Sequence, residues 1–266
     1  MKHYKLAILA LMICLLQSFV SLAQDLSKFD KGLYVNKKDT LAYRILMPQN
    51  FDPTKKYPLV LVLHGSGERG KDNEAQLKFG PKLFLNDTIR QRYPAIVVFP
   101  QCPDNSFWSN TEFKRDSVNN KTIFDFKEGG EPTKAMHALL GLIDQLRDKP
   151  YVDHDRIYVG GLSMGGMGTF ELLRRKPKYF AAAFPICGGD NTVNAKKYAR
   201  KVPVWIFHGA KDNVVPPDHS IVMVEAIKAA GGTPKFTLYP NDGHNSWDDA
   251  FAEPQLVPWL FSNVKK

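Results

Sequence analysis

Continuous apolar runs that end in glycine or proline recur along the chain. Such runs are typical of parallel strands covered on both faces, because a strand with one exposed face alternates apolar and polar residues. The runs are YPLVLVLHGSG (57–67), AIVVFP (95–100), RIYVGG (156–161), AAAFPICGG (181–189), VPVWIFHGA (202–210) and KFTLYP (235–240). Two earlier segments, GLYV (32–35) and LAYRILMP (41–48), alternate and predict a strand pair near the start.

Helical periodicity fills the intervals between the later runs. Residues 132–148 place apolar side chains at Met136, Leu139, Ile143 and Leu146, the spacing of one helix face. Similar patterns follow Ser163 and run from residue 218 to a glycine stop. Strands that alternate with helices predict one α/β domain whose sheet is mainly parallel, with helices on both faces.

The first residues have the pattern of a secretory signal peptide. A basic start, MKHYK, precedes the apolar run LAILALMICLLQSFV and the small-residue stretch SLA. This pattern predicts a signal peptide over 1–23, cleaved after Ala23, and a single mature domain over 24–266. We expect a secreted or periplasmic protein without membrane contact in its mature form. The alternative is a membrane anchor, for which the apolar run is short.

Composition and charge narrow the classes of partner. The chain has 266 residues, of which 44% are hydrophobic, enough for a sizeable core. Its net charge of +9 falls to +7 once Lys2 and Lys5 are removed with the signal peptide. The basic residues are scattered in pairs and accompany no nucleic-acid motif, so we expect a solvated basic surface and no nucleic-acid partner.

A serine stands between two glycines where a strand run meets a helical pattern. Gly161-x-Ser163-x-Gly165 fits a nucleophile elbow, a strained turn that lifts the serine hydroxyl clear of the backbone. The flanking glycines allow strand and helix to approach closely. The spacing alone is weak evidence, but the strand-to-helix context is the one this motif requires.

A serine nucleophile needs a base and a group that orients the base, in the chain order Ser, acid, His for this architecture. Asp212 follows the VPVWIFHGA run and His244 follows the KFTLYP run, so both stand where that order requires. Asp190, after the preceding strand, is the alternative acid.

We interpret four other histidines as non-catalytic. His64 and His208 lie at strand ends and are predicted to be hydrogen-bonded structural residues. His137 and His219 lie in helical segments and are predicted to have no chemical role.

An acyl-transfer site also needs two donors for the oxyanion. The N–H of Met164 opens the helix after Ser163 and is one candidate. The second is expected from the loop after the first buried strand, at Ser66 or Gly67, and the sequence does not choose between them.

Five motifs together resemble a known enzyme family. LHGSGERGKD, PQCPDNSFW, GLSMGGMGT, WIFHGAKDNVVP and YPNDGHNSW resemble the secreted α/β-hydrolase esterases related to carbohydrate-esterase family one. That group includes feruloyl and acetyl-xylan esterases, and relatives labelled predicted peptidases or phospholipase/carboxylesterases. The resemblance covers roughly residues 30–264. It implies an α/β-hydrolase fold, with Ser163 as nucleophile, Asp212 as acid and His244 as base.

The resemblance also implies an activity. We expect a serine esterase, without metal or cofactor, that acts on short-acyl or hydroxycinnamoyl esters, either small esters or esterified plant polysaccharide. The alternatives are a serine peptidase or a lipase/phospholipase-like carboxylesterase of the same fold. A third is a binding module with a vestigial site, which the complete Ser, Asp and His set argues against.

The pocket is expected to lack a large cap domain, because only GGDNTVNAKKYARK (188–201) separates two late strands. The long connection is residues 101–130, expected to be a loop without regular structure. Its Phe107 and Trp108 are predicted to form an aromatic wall for substrate, unless Trp108 only pins the loop, and Gln101 is predicted to line the pocket.

In the resembling fold, the strands before Cys102 and Cys187 are separated by two others. At about 4.8 Å per strand they lie too far apart to bridge. We expect two free thiols.

Overall fold

The computed structural model describes residues 25–37, 39–116 and 121–265, so the signal peptide predicted over 1–23 lies outside the described residues. The strands are β1 Asp30–Val35, β2 Thr40–Leu46, β3 Tyr57–Leu63, β4 Ile96–Pro100, β5 Thr111–Asp116, β6 Lys121–Phe126, β7 Val152–Leu162, β8 Ala182–Ile186, β9 Trp205–Gly209 and β10 Lys235–Tyr239. The α-helices are α1 Pro81–Leu85, α2 Asp87–Arg92, α3 Lys134–Arg147, α4 Met164–Arg175, α5 Asp218–Ala229, α6 Trp247–Ala252 and α7 Leu256–Ser262.

Eight strands form one sheet in the order β1-β2-β4-β3-β7-β8-β9-β10. The β1–β2 and β2–β4 pairs are antiparallel, and the other neighbours are parallel. The strand pair predicted near the start and the mainly parallel sheet are both confirmed. Crossover helices between parallel strands bring the carboxyl ends of β3, β7, β8, β9 and β10 to one edge, where ligands bind in such sheets.

The core lies on both faces of the sheet, because strand side chains alternate between faces. Leu59, Leu61 and Leu63 of β3 belong to a buried cluster that also contains side chains of α3, α4 and α5. Val60 and Val62 of the same strand pack on the opposite face with α1, α6 and α7. This two-sided burial explains why β3 is apolar without interruption.

The connection over 101–130 is not the structureless loop expected from the sequence. It contains a separate two-stranded hairpin, β5–β6, in which Phe113 pairs with Phe124. Backbone carbonyls from Phe126 to Gly130 at the base of this hairpin accept hydrogen bonds from side chains of the main domain. These side chains are Asn191, Asn194, Arg174 and Arg175.

Two further expectations are confirmed. The connection from β8 to β9 carries only a short 3₁₀ turn, Thr192–Lys197, so no cap domain lies there. Cys102 and Cys187 are free and buried, with β3 and β7 between the strands that precede them. Among the described residues, no helix has both the length and the apolarity needed to cross a bilayer.

Candidate active site

Ser163 stands in a strained turn between β7 and α4. Its backbone angles are φ 53° and ψ −117°, and its N–H donates to the Ile186 carbonyl of β8. A Cβ on Gly161 would lie 2.5 Å from the Leu63 carbonyl oxygen, and one on Gly165 would lie 2.0 Å from the same atom. Only glycine therefore allows β3, β7 and α4 to approach at this turn, as the motif predicted.

The structure brings Ser163, His244 and Asp212 together in one hydrogen-bonded relay. His244 Nε2 lies 3.0 Å from Ser163 Oγ, and His244 Nδ1 lies 2.7 Å from Asp212 Oδ2. Since an ionised carboxylate only accepts, Nδ1 carries the proton and Nε2 is free to accept from the serine hydroxyl. This is the geometry that base-assisted attack by a serine requires. The catalytic roles of the three residues remain predictions.

Asp212 follows β9 in a loop that surrounds its carboxylate with donors. Oδ1 accepts from the N–H groups of Val214 and Val215, each at 2.9 Å. Burial alone would raise the pKa of Asp212, but hydrogen bonds from His208 and His244 outweigh it and hold that pKa well below its usual range. The side chain has no solvent exposure, whereas that of His244 is 18% exposed. The relay therefore runs from a fully buried anion through the partly exposed His244 to the largely buried Ser163.

The two candidate sources of the oxyanion donors lie beside Ser163. Met164 is the first residue of α4, where backbone N–H groups have no partner within the helix. On the other side, a Cβ placed on Gly65 would lie 3.7 Å from Ser163 Cβ, so the loop after β3 passes next to the nucleophile. Ser66 and Gly67 follow in a 3₁₀ turn, which Arg69 fixes by donating to the Ser66 carbonyl at 3.0 Å.

The structure corrects two of the three predicted substrate-binding residues. Trp108 is fully buried and packs against α4 at Gly168, so it pins the connection and forms no wall. Gln101 is also buried, and its amide holds the β3–α1 connection by bonding Asn73 N–H and Asp72 Oδ1. Phe107 is half-buried, with the Arg69 guanidinium 4.9 Å from its ring centroid.

Asp190, the alternative acid, is bound elsewhere. Its Oδ1 accepts from Asn191 N–H and Asn194 Nδ2, and no hydrogen bond joins it to His244 within the described part of the chain. Burial raises the pKa of Asp190 to about 7. A carboxyl that binds its proton this readily is a poor partner for an imidazolium.

His64 is a structural residue, as predicted. Its Nδ1 donates to the Gly65 carbonyl at 2.6 Å, and its Nε2 accepts from Cys102 N–H at 2.9 Å. Nε2 therefore joins the end of β3 to the end of β4, and Nδ1 fixes the ring within its own loop. Burial lowers the pKa of His64 to about 4, which keeps the ring neutral.

Sequence reasoning did not place two neighbours beside the relay, although His208 is buried and hydrogen-bonded as predicted. His208 contacts Asp212 directly, and its four-residue spacing from Asp212 was the available signal. Cys187 has a positive φ of 40°, and its Sγ lies within 4.8 Å of ligand atoms of Asp212 and His244. Burial raises the pKa of this thiol well above its usual range, so the side chain is a neutral thiol. Together, Cys187, Asp212 and His244 suit a hydrogen-bonded relay better than they suit a cation-binding site.

Known proteins match this chain over the site. A model of the dienelactone hydrolase family matches residues 107–256, a stretch that contains Ser163, Asp212 and His244. The bifunctional acetylxylan esterase/xylanase XynS20E of Neocallimastix patriciarum is 30% identical over 171 residues, covering 64% of this chain and 21% of that protein. Dipeptidyl-peptidase 5 of Porphyromonas gingivalis is 23% identical over 236 residues, covering 75% of this chain and 32% of that protein. The chain thus spans a fifth to a third of the length of these relatives.

Among solved structures, a thermostable esterase is 32% identical, with a TM-score of 0.80 over 90% of this chain and 64% of that one. This similarity and the observed sheet agree on the α/β-hydrolase fold expected from the sequence.

Proposed function

The chain belongs to the dienelactone hydrolase family of α/β-hydrolases, and on that premise we propose that it is a serine esterase with Ser163 as nucleophile, His244 as base and Asp212 as the orienting acid. The observation that carries the proposal is the unbroken relay, 3.0 Å from Ser163 Oγ to His244 Nε2 and 2.7 Å from His244 Nδ1 to Asp212 Oδ2. Esterases among the similar proteins support the reaction class.

The relay performs acyl transfer in two halves. Ser163 Oγ attacks the ester carbonyl carbon while its proton passes to His244 Nε2, and the resulting oxyanion is bound by Met164 N–H and a donor from Ser66 or Gly67. The imidazolium then gives its proton to the leaving alcohol, the ester C–O bond breaks, and an acyl-serine remains. Water attacks that ester with the same proton route, releasing the carboxylic acid and the free serine.

The surroundings of the relay favour small or aromatic acyl groups. No cap follows β8, so a long alkyl chain finds little apolar wall. A chain of ring contacts, here called the aromatic row, spans the hairpin and its flanks; adjacent centroids lie 4.6–5.9 Å apart. Its members are Phe107, Phe113, Phe124, Phe126 and His219.

The two ends of the aromatic row reach loops on opposite sides of Ser163. Phe107 packs on Arg69, which binds the Ser66 carbonyl. His219 precedes Ser220, whose hydroxyl contacts the Gly188 carbonyl beyond β8. We therefore assign acetyl, butyryl and hydroxycinnamoyl esters, free or on plant polysaccharide, as the substrate class. Planar rings stack favourably on such a row. The predicted export of the protein suits a polysaccharide substrate.

Parallel assays of p-nitrophenyl acetate, methyl ferulate, p-nitrophenyl palmitate and a dipeptide p-nitroanilide test this function. We expect turnover of the first two and a steep fall beyond about eight acyl carbons. Preference for the anilide would instead support a peptidase, in line with the dipeptidyl-peptidase similarity. Preference for the palmitate would indicate a lipase-like enzyme. No turnover of any ester or anilide would favour a binding module.

A further inference from the structure

The Asp212 carboxylate binds a second histidine that the relay to Ser163 does not use. His208, in β9, places Nε2 3.2 Å from Asp212 Oδ2, the same oxygen that accepts from His244. The His208 side chain is fully buried. We propose that His208 is a positioning residue that fixes the Asp212 carboxylate and divides its negative charge between two imidazoles; this rests on the proposed function.

The hydrogen-bond partners of His208 identify which ring nitrogen carries a proton. Nε2 also lies 2.8 Å from the Val215 carbonyl oxygen. A carbonyl and an ionised carboxylate only accept, so Nε2 is the donor to both. On the other side of the ring, Nδ1 lies 2.7 Å from the hydroxyl of Ser220, a fully buried residue of α5 whose single proton also has the Gly188 carbonyl as an acceptor at 2.9 Å. The ring is thus held at both nitrogens and points one N–H at Asp212.

Four donors then surround one carboxylate. Val214 and Val215 N–H groups occupy Oδ1, and His208 and His244 share Oδ2. An ionised carboxylate offers about four lone-pair sites, so this set leaves none open. Rotation of the carboxylate would break several of these bonds at once. Without His208, the charge on Oδ2 would act on His244 alone and stabilise its protonated form more strongly.

In the part of the chain that the structure describes, few other ionisable groups face this cluster. Cys187 approaches Asp212 from the end of β8, and His219 and Asp218 approach from the first turn of α5. Burial raises the pKa of Cys187 and lowers that of His219, so both side chains are uncharged at neutral pH. Asp218 is exposed to solvent, which screens its charge. If replacing His208 shifts the acid limb of the pH–activity profile, that shift therefore reports on the Asp212–His244 pair.

Three variants separate the Asp212 contact from the rest of the His208 environment. The amide nitrogen of His208→Gln can occupy the position of the imidazole Nε2 and still donate to Asp212. The shorter amide of His208→Asn reaches only the Ser220 side, and His208→Phe donates to neither. The pH dependence of kcat/KM for p-nitrophenyl acetate is measured on each variant, with thermal unfolding as the check of folding.

We expect the midpoint of the acid limb to rise by about 0.5–1 pH unit in His208→Phe and His208→Asn, with kcat reduced about tenfold and KM within about twofold. His208→Gln should keep the midpoint within about 0.3 unit of wild type. If His208→Phe does not fold, the Gln and Asn variants carry the comparison. A wild-type midpoint in His208→Asn, or a shifted one in His208→Gln, overturns the proposal.

Asp212→Asn, assayed in parallel, keeps this test distinct from that of the proposed function. Loss of activity in Asp212→Asn with unshifted His208 variants overturns only the positioning role. Retained activity in Asp212→Asn overturns the proposed function itself.

Discussion

Two buried aspartates follow neighbouring strands, and their surroundings give them opposite acidities. Hydrogen bonds from two histidines and two backbone N–H groups keep Asp212 ionised. Burial raises the pKa of Asp190 to about 7, and its Oδ2 has no hydrogen-bond partner among the described residues. Only the first environment suits a group that must stabilise a neighbouring imidazolium.

Asp212→Asn should therefore lower kcat/KM for p-nitrophenyl acetate by about 10³–10⁴-fold, because the amide favours the wrong His244 tautomer and offers no charge. The matched control is Asp190→Asn, which should change the rate by less than about threefold. Steady-state kinetics on both variants decides between the two acids. The reverse pattern would move the acid to the loop after β8.

The raised pKa of Asp190 also predicts a pH dependence of stability. The folded protein holds this proton to a higher pH than the unfolded chain, so Asp190 makes the free energy of unfolding fall as the pH rises from about 4 to 7. Asp190→Asn removes this term. Relative to wild type, the variant should gain about 1–3 kcal/mol between pH 5 and pH 8. Urea denaturation at both pH values measures the gain, and a constant difference would contradict the assignment.

At the scale of elements, the turn from β7 into α4 depends on close backbone approach. Gly165→Ala would place a Cβ 2.0 Å from the Leu63 carbonyl oxygen, so the backbone itself must shift. We expect a loss of about 2–4 kcal/mol in the free energy of unfolding. Gly67→Ala is the control, since a Cβ there meets nothing within 4 Å, and it should change stability by less than about 0.5 kcal/mol. Equal losses in urea denaturation would refute the close-approach explanation.

The β5–β6 hairpin allows a matched test of the substrate assignment. Phe113 is 39% exposed and belongs to the aromatic row, whereas Ile123, 53% exposed, pairs with Lys114 on the other face. Phe113→Ala should lower kcat/KM for methyl ferulate about 3–10-fold more than for p-nitrophenyl acetate. Ile123→Ala should affect both esters equally. If Phe113→Ala lowers kcat/KM equally for both esters, the aromatic row stabilises the hairpin and does not contact the substrate.

Sequence patterns predicted the elements with two-sided burial and missed the hairpin. β3 and β9 are continuous apolar runs because helices cover both of their faces. In contrast, β5 has the sequence TEFKRD, and none of its positions is fully buried. Its apolar residues therefore do not alternate with the two-residue period from which a strand is predicted. Its partner is specified by cross-strand contacts such as Phe113–Phe124, which become visible only once the register is known.

At the scale of the whole molecule, the fold gathers distant residues at one edge of the sheet. Ser163, Asp212 and His244 follow β7, β9 and β10, and the turn at Ser66 follows β3. Because parallel strands end together, strand-end position predicted the candidate site from sequence alone. The same reasoning could not place Trp108 or Gln101, since both follow β4 but turn inward to fill space beneath the loops. Nor could it show that His208 bonds Asp212, which depends on how the loop after β9 folds back.

The most direct test of the account is the site of covalent labelling by diethyl p-nitrophenyl phosphate. This phosphoester transfers a diethylphosphoryl group to a serine activated by a base. Intact-mass and peptide-mapping mass spectrometry should find one such group on wild-type protein, at Ser163, and none on Ser163→Ala. The variant should also retain less than about a hundredth of the wild-type rate with p-nitrophenyl acetate. Labelling at another residue, or a labelled and active Ser163→Ala variant, would contradict the account.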